Sequence, residues 1–222
     1  MRAKAIHVLL GKVIISCVLV ASLQSQAIAG VPTYHNYDTG WNHNQYVTYM
    51  ATGANTSYGL WQQAFDFTPA DTETFHSLVL TITLGCGYDY VDNTADVYLM
   101  ADSDGLPGTV LDTWHFEDTL PVYSTPHPRP VLACYGDGQV TLTAGQRYWI
   151  SLGTDGGNSV ISWFQNTTGY SSKWCRNEGA GWNVISSNIT SPVFRVNLVP
   201  EPMTLSLLAI GGLALIRRQR RG

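Results

Sequence analysis

An all-β fold, built as an antiparallel β-sandwich, is what this sequence predicts, on three observations. Between Ser77 and Leu84, apolar Leu78, Leu80, Ile82 and Leu84 alternate with Val79, Thr81 and Thr83, the period of two that turns one face of a strand toward a core. Further short runs of β-branched and aromatic residues follow, separated by clusters of Gly, Pro, Asn and Asp, which supply the backbone angles that turns between strands need. Outside the two ends of the chain, no ten-residue stretch repeats its apolar residues at a helical period.

Taken in order, Gly30–Leu60 is rich in Tyr, Asn, Thr, Gly and His and reads as an extended arm with one edge strand at Gln45–Met50. Trp61–Phe67 is a better strand, with Trp61, Phe65 and Phe67 largely on one face, and Pro69-Ala70-Asp71 ends it. Ser77–Leu84 follows, its threonine face expected to be wet or half covered. Gly85–Thr94 is a loop holding Asp89, Asp92 and Asn93, and Asp96–Met100 is the next strand. Asp102–Gly108 is an emphatic turn, since two glycines and a proline punctuate it, and Val110–Phe116 resumes a strand. Four prolines between Glu117 and Pro130 predict a surface crossing. Gln139–Thr143 and Arg147–Leu152 bracket Ala144-Gly145 and read as a hairpin. Val160–Phe164 and Val193–Val199 complete the set, with a Trp-rich region of loop and strand, Tyr170–Ile185, between them. Roughly eight or nine strands joined this way predict a jelly-roll-like sandwich, and the lack of a fixed repeat argues against a propeller or solenoid.

The ends are of another kind. Arg2, Lys4 and Lys12 precede the apolar run Val13–Leu23, and Ala27-Ile28-Ala29 has the small-x-small pattern that signal peptidase accepts. Residues 1–29 therefore read as a signal peptide, an N-terminal signal helix cleaved before Gly30, and residues 30–199 as the exported domain. At the other end Pro200-Glu201-Pro202 leads into uncharged Met203–Ile216 and then Arg217, Arg218, Arg220 and Arg221. Such a run fits neither a dry core, where the arginines would be dragged inside, nor water. It fits a bilayer with the arginines on the cytoplasmic side. As a helix, residues 203–216 span about 21 Å, short of a comfortable transmembrane length. That suits a segment recognised and then removed.

This tail, residues 200–222, resembles the PEP-CTERM sorting signal of Gram-negative bacteria in order, spacing and composition. The resemblance implies processing by exosortase, a membrane cysteine transpeptidase, in bacteria that make an extracellular polymer matrix. A eukaryotic lipid-anchor signal would end in the apolar stretch without arginines. Val97–Gly108 and Val140–Leu152 are similar to strand-turn segments of the choice-of-anchor surface domains that precede such tails. This second resemblance implies a surface β-sandwich without a known catalytic constellation.

Charge and chemistry narrow the function further. The whole chain carries a net charge of −4, but seven of its twelve basic residues lie in the two end segments. Residues 30–199 keep five, Arg129, Arg147, Lys173, Arg176 and Arg195, against fifteen acids, a balance near −10. So acidic a body repels phosphate backbones and excludes nucleic acid as a partner. Cys17 leaves with the signal peptide. Cys86, Cys134 and Cys175 then predict one disulfide and one odd thiol in an oxidising compartment, with the pairing open. Their wide spacing and the lack of CxxC speak against zinc held by thiolates.

No GxSxG, HExxH, P-loop or dinucleotide fingerprint occurs. His35, His43, His76, His115 and His127 are scattered among polar neighbours and read as surface or hydrogen-bonded histidines. Asp112 and Glu117 sit in or next to the Val110–Phe116 strand, but no pattern marks them as a carboxylate pair. Asp102 and Asp104, with Asp89 and Asp92, offer oxygens for calcium, but no closing Glu follows, and a solvated turn is the simpler reading. No metal or cofactor is expected.

Seven tryptophans lie in the exported domain. Those inside strands read as core; Trp174 and Trp182, in a loop-like region, are candidates for a glycan-facing surface. The sequence thus predicts a non-enzymatic, exported structural or adhesive protein of the outer surface or extracellular matrix. Its partners would be signal peptidase and exosortase during export, the membrane before processing, and extracellular polysaccharide. The alternative is a carbohydrate-binding module or carbohydrate-active enzyme on the same scaffold.

Overall fold

Fourteen strands form among residues 31–35, 43–85, 92–122, 132–155 and 157–199, the part of the chain that the computed structural model describes. A six-stranded sheet runs in the order β13 (Trp182–Thr190), β12 (Ser171–Asn177), β3 (Gln62–Phe67), β10 (Tyr148–Gly153), β6 (Thr94–Ser103), β7 (Leu106–Glu117). A second sheet runs β1 (Val31–His35), β14 (Phe194–Val199), β4 (Glu73–Leu80), β8 (Leu132–Tyr135), with β9 (Thr141–Leu142) also on β4. The third places β11 (Val160–Asn166) between β2 (His43–Thr52) and β5 (Ile82–Leu84).

Among the described residues the protein is all-β, with antiparallel sheets and no helix, hence none long and apolar enough to cross a membrane. Ala27, Ala29, Gly30, Pro200, Glu201, Pro202, residues 203–216 and the four terminal arginines lie outside them.

The alternating run Ser77–Leu84 does form strand, but it serves two sheets. Leu80 pairs with Phe194 and Leu132 in the second sheet, and Ile82 pairs with Trp163 in the third, with the break at Thr81. Enclosure on both sides buries the threonine face as well. Thr81 and Thr83 are almost fully covered, and their hydroxyls find no hydrogen-bond partner among the described residues.

The predicted Gln139–Leu152 hairpin is also resolved differently. The tight turn exists, with Gly145 at φ +74° and a Gln146-to-Thr143 backbone bond. Its two arms, however, join different sheets: β9 pairs with β4, while β10 lies between β3 and β6. Burial decides this, because all six residues of β10 are buried and need neighbours on both edges. The Trp-rich segment, read as loop and strand, is a hairpin of β12 and β13.

One hydrophobic cluster draws on all three sheets and includes Phe65, Phe75, Leu78, Leu99, Ile150, Trp163 and Phe194. Strand alternation sends the intervening residues of the six-stranded sheet to its opposite face. There Ala64, Met100, Trp149 and Cys175 form a second, smaller cluster, packed by Tyr98, Leu106 and Trp182.

Candidate functional site

The second face of the six-stranded sheet carries two groups of charged residues, one at each end of β6. At one end, β6 and β7 turn through Asp104 (φ +53°) and Gly105 (φ +81°), the paired left-handed conformation of a type I′ hairpin, which Asp-Gly favours. Asp102 anchors this tip. One carboxylate oxygen accepts the Gly105 amide at 3.0 Å, and the other accepts the Trp149 indole N–H at 2.8 Å. Arg147 reaches Asp66 at 3.1 Å and Asp102 at 3.8 Å, and the Lys173 ammonium donates to the Gly105 carbonyl. Lys173 also lies over the Trp149 ring, 5.8 Å from its centre. Burial pushes the Asp66 carboxyl up, opposed by the Lys173 amide bond and by the Arg147 and Lys173 charges. Two acids meet two cations here, so this end is closed and compensated.

At the other end, Asp96 on β6 lies opposite His115 on β7, and His115 Nδ1 stands 2.8 Å from Asp96 Oδ1. Asp96 also pairs with Gly153, the last residue of β10, so Asp155, two residues on, emerges beside it. One donor atom from each of Asp96, His115 and Asp155 lies within 4.8 Å of the others. Asp96 is buried, whereas His115 and Asp155 are exposed. The hydrogen bond to Asp96 raises the His115 pKa, helped by the charges of Asp96, Asp155 and Glu117 and opposed by desolvation. Burial, then the charges of Asp96 and Asp155, push the Tyr98 phenol up as well. Neither set of influences includes a Lys or Arg.

The residues singled out from the sequence fall elsewhere. Trp174 packs against the main core, stacked on Phe65 at 6.3 Å, with its indole N–H donating to Gln63 at 2.6 Å. Trp182 packs against the smaller cluster instead. The two candidates for a glycan face thus belong to different clusters. Cys134 and Cys175 are buried free thiols, one in each cluster, and Cys86 lies outside the described residues.

Of the calcium candidates, Asp92 and Asp102 stand at opposite ends of β6, roughly 30 Å apart at about 3.3 Å per residue. Asp92 accepts the Asn158 amide, Asp104 lies in the hairpin turn, and Asp89 is outside the described residues. Asp112 and Glu117 are five residues apart along β7, roughly 16 Å, beyond the separation glycoside hydrolysis uses.

Sequence reasoning missed Asp96, His115 and Asp155 as a group, and also the bonding of Asp66, Arg147 and Lys173. The available signal was the pair of strands around the Asp102–Gly108 turn, which brings residues near 96 opposite residues near 115. No protein-family model matches the chain, and neither the characterised proteins nor the solved structures compared with it include a match.

Proposed function

We propose that the chain is an exported structural or adhesive protein of the outer surface or extracellular matrix of a Gram-negative bacterium, with no catalytic role. A signal peptide delivers it, exosortase acts on its PEP-CTERM tail, and residues 30–199 form a jelly-roll-like sandwich that is the cargo. The observation that carries this reading is the tail itself: Pro200-Glu201-Pro202, an uncharged run and four arginines, in that order at residues 200–222.

The body supports the same reading. Its antiparallel sheets share one extensive core, and every described tryptophan is buried or half-buried, with none among the exposed large apolar side chains. A glycan-stacking platform needs several aromatic faces open to solvent; among the described residues the exposed large aromatics are Tyr135 and Tyr170, and the tryptophans favour a coat or scaffold over a lectin-like module.

Mass spectrometry of the protein recovered from the cell envelope tests the proposal. The expected peptides begin at Gly30 and end near Pro200, with residues 203–222 missing. An intact tail would make this an ordinary anchored protein, and an uncleaved first segment in cytosolic material would remove the export reading altogether.

A further inference from the structure

We infer that Asp96, His115 and Asp155 form a binding site for one divalent transition-metal ion, of which zinc is the representative. Three neighbouring strands, β10, β6 and β7, deliver the donors at a single sheet end, and the donor atoms already lie within 4.8 Å of one another.

The segment carrying Asp155 is held in place from both sides. Thr154 Oγ1 is 2.7 Å from Thr94 Oγ1, the Ser159 hydroxyl donates to the Asp92 carbonyl at 2.7 Å, and the Asn158 amide donates to the Asp92 carboxylate at 2.9 Å. Asp155 therefore directly follows a residue bonded to β6, which lowers the ordering cost of binding an ion.

Charge points the same way. The carboxylates acting on His115 are Asp96, Asp155 and Glu117, so three negative groups surround one imidazole. The four basic residues of the described segments include Arg147 and Lys173, committed to the far end of β6, and Arg176, 2.7 Å from Glu178. A divalent cation would neutralise carboxylates that, among the described residues, pair with no Lys or Arg.

The donor set selects the metal class. One imidazole and two carboxylates suit zinc and similar borderline ions, whereas calcium prefers six to eight oxygens. Three protein ligands leave a position for water. Binding would pin the β10–β11 loop to the β6–β7 ribbon, so its direct consequence is stiffening of this sheet end.

The test uses the purified full chain in mild detergent, stripped with EDTA and titrated calorimetrically with zinc chloride. Saturation at one zinc per chain is expected, with a rise in melting temperature. Asp155→Asn and His115→Gln should each weaken binding at least about tenfold. Asp155 is exposed, so its variant keeps the test valid even if the histidine variant folds poorly; circular dichroism checks both. No saturable uptake, uptake indifferent to both substitutions, or calcium bound in preference to zinc would each overturn the assignment.

Discussion

The two ends of β6 treat the same residue type in opposite ways. Asp102 and Asp96 lie on one face of one strand, six residues apart. Asp102 is surrounded by donors, with an indole N–H, a backbone amide and Arg147 on its oxygens. Asp96 is the more buried of the two, yet it meets a histidine and a second carboxylate. A half-buried carboxylate that finds cations becomes part of the packing. One that finds other acids leaves a field for something external to neutralise. The difference separates a structural latch from a candidate ligand site within a single hairpin.

The strongest way to break the comparison is to remove the centre of the closed end. Trp149 is fully buried, and its ring links the Asp102 latch to Ala64, Met100 and Cys175. Trp149→Ala should cost about 3–5 kcal/mol in chemical denaturation, because the space it leaves lies beneath a tip held by polar bonds. The Asp96 end should keep its zinc response wherever the protein remains folded. A loss below about 1 kcal/mol would mean that the small cluster adds little to the fold.

Cys175 gives a reading of the same end that depends on pH. Burial pushes its thiol up to about 11, with Lys173 pulling the other way. The folded value lies above the unfolded one, so its contribution is fully present below the unfolded value, near 9, and is lost as pH rises toward 11. The shift corresponds to roughly 2–3 kcal/mol of alkaline destabilisation, which Cys175→Ala should remove from a comparison of denaturation at pH 8 and above pH 11. At pH 8 only about a thousandth of this thiol is ionised, so alkylation in the native state should be at least a hundredfold slower than after unfolding. Rapid native labelling at Cys175 would show the closed end to be open.

How far this arrangement was legible in the sequence turns on register. A turn within Asp102–Gly108 was readable, and so were the strands on either side, but they run on to Ser103 and from Leu106 and leave only Asp104-Gly105 between them. A regular two-residue hairpin would then set Asp96 opposite Thr113. The observed partner is His115, because the register slips once between Leu99 and Met100 and again between Met100 and Asp102. Each slip leaves an extra residue on β7. Gly108 lies in the slipped stretch, where an added Cβ would come within 2.7 Å of the Ser103 Cβ. The glycine was visible in the sequence, but the close approach that requires it was not. Asp155 arrives from a strand far away in sequence, and nothing local announces it. The same limit applies to Ser77–Leu84, whose alternation was plain but whose exchange of sheets at Thr81 depends on partners distant in the chain. In the Trp-rich segment, Gly179 and Gly181 suggested a loop, whereas their φ values of +94° and +110° close the turn of a hairpin. Local chemistry thus yields strands and turns, while register and sheet membership come from contacts across the chain.

The smallest predicted effects separate the two ends most sharply, because their signs differ. Arg147→Gln removes a partly exposed guanidinium from two carboxylates that are mostly covered. Exposed ion pairs contribute little, but leaving both acids without this partner should cost about 1 kcal/mol and speed alkylation of Cys175. Asp155→Asn removes a charge from a place where, once His115 is neutral, the neighbouring charges are also negative. In metal-free protein its effect should stay within about 0.5 kcal/mol and fall on the stabilising side, since repulsion from Asp96 is relieved. Zinc should reverse that order: the wild type and Arg147→Gln gain melting temperature, and Asp155→Asn gains little. If Asp155→Asn instead destabilises the metal-free protein as much as Arg147→Gln does, both ends of β6 are compensated alike, and the field attributed to the Asp96 end is already met within the protein.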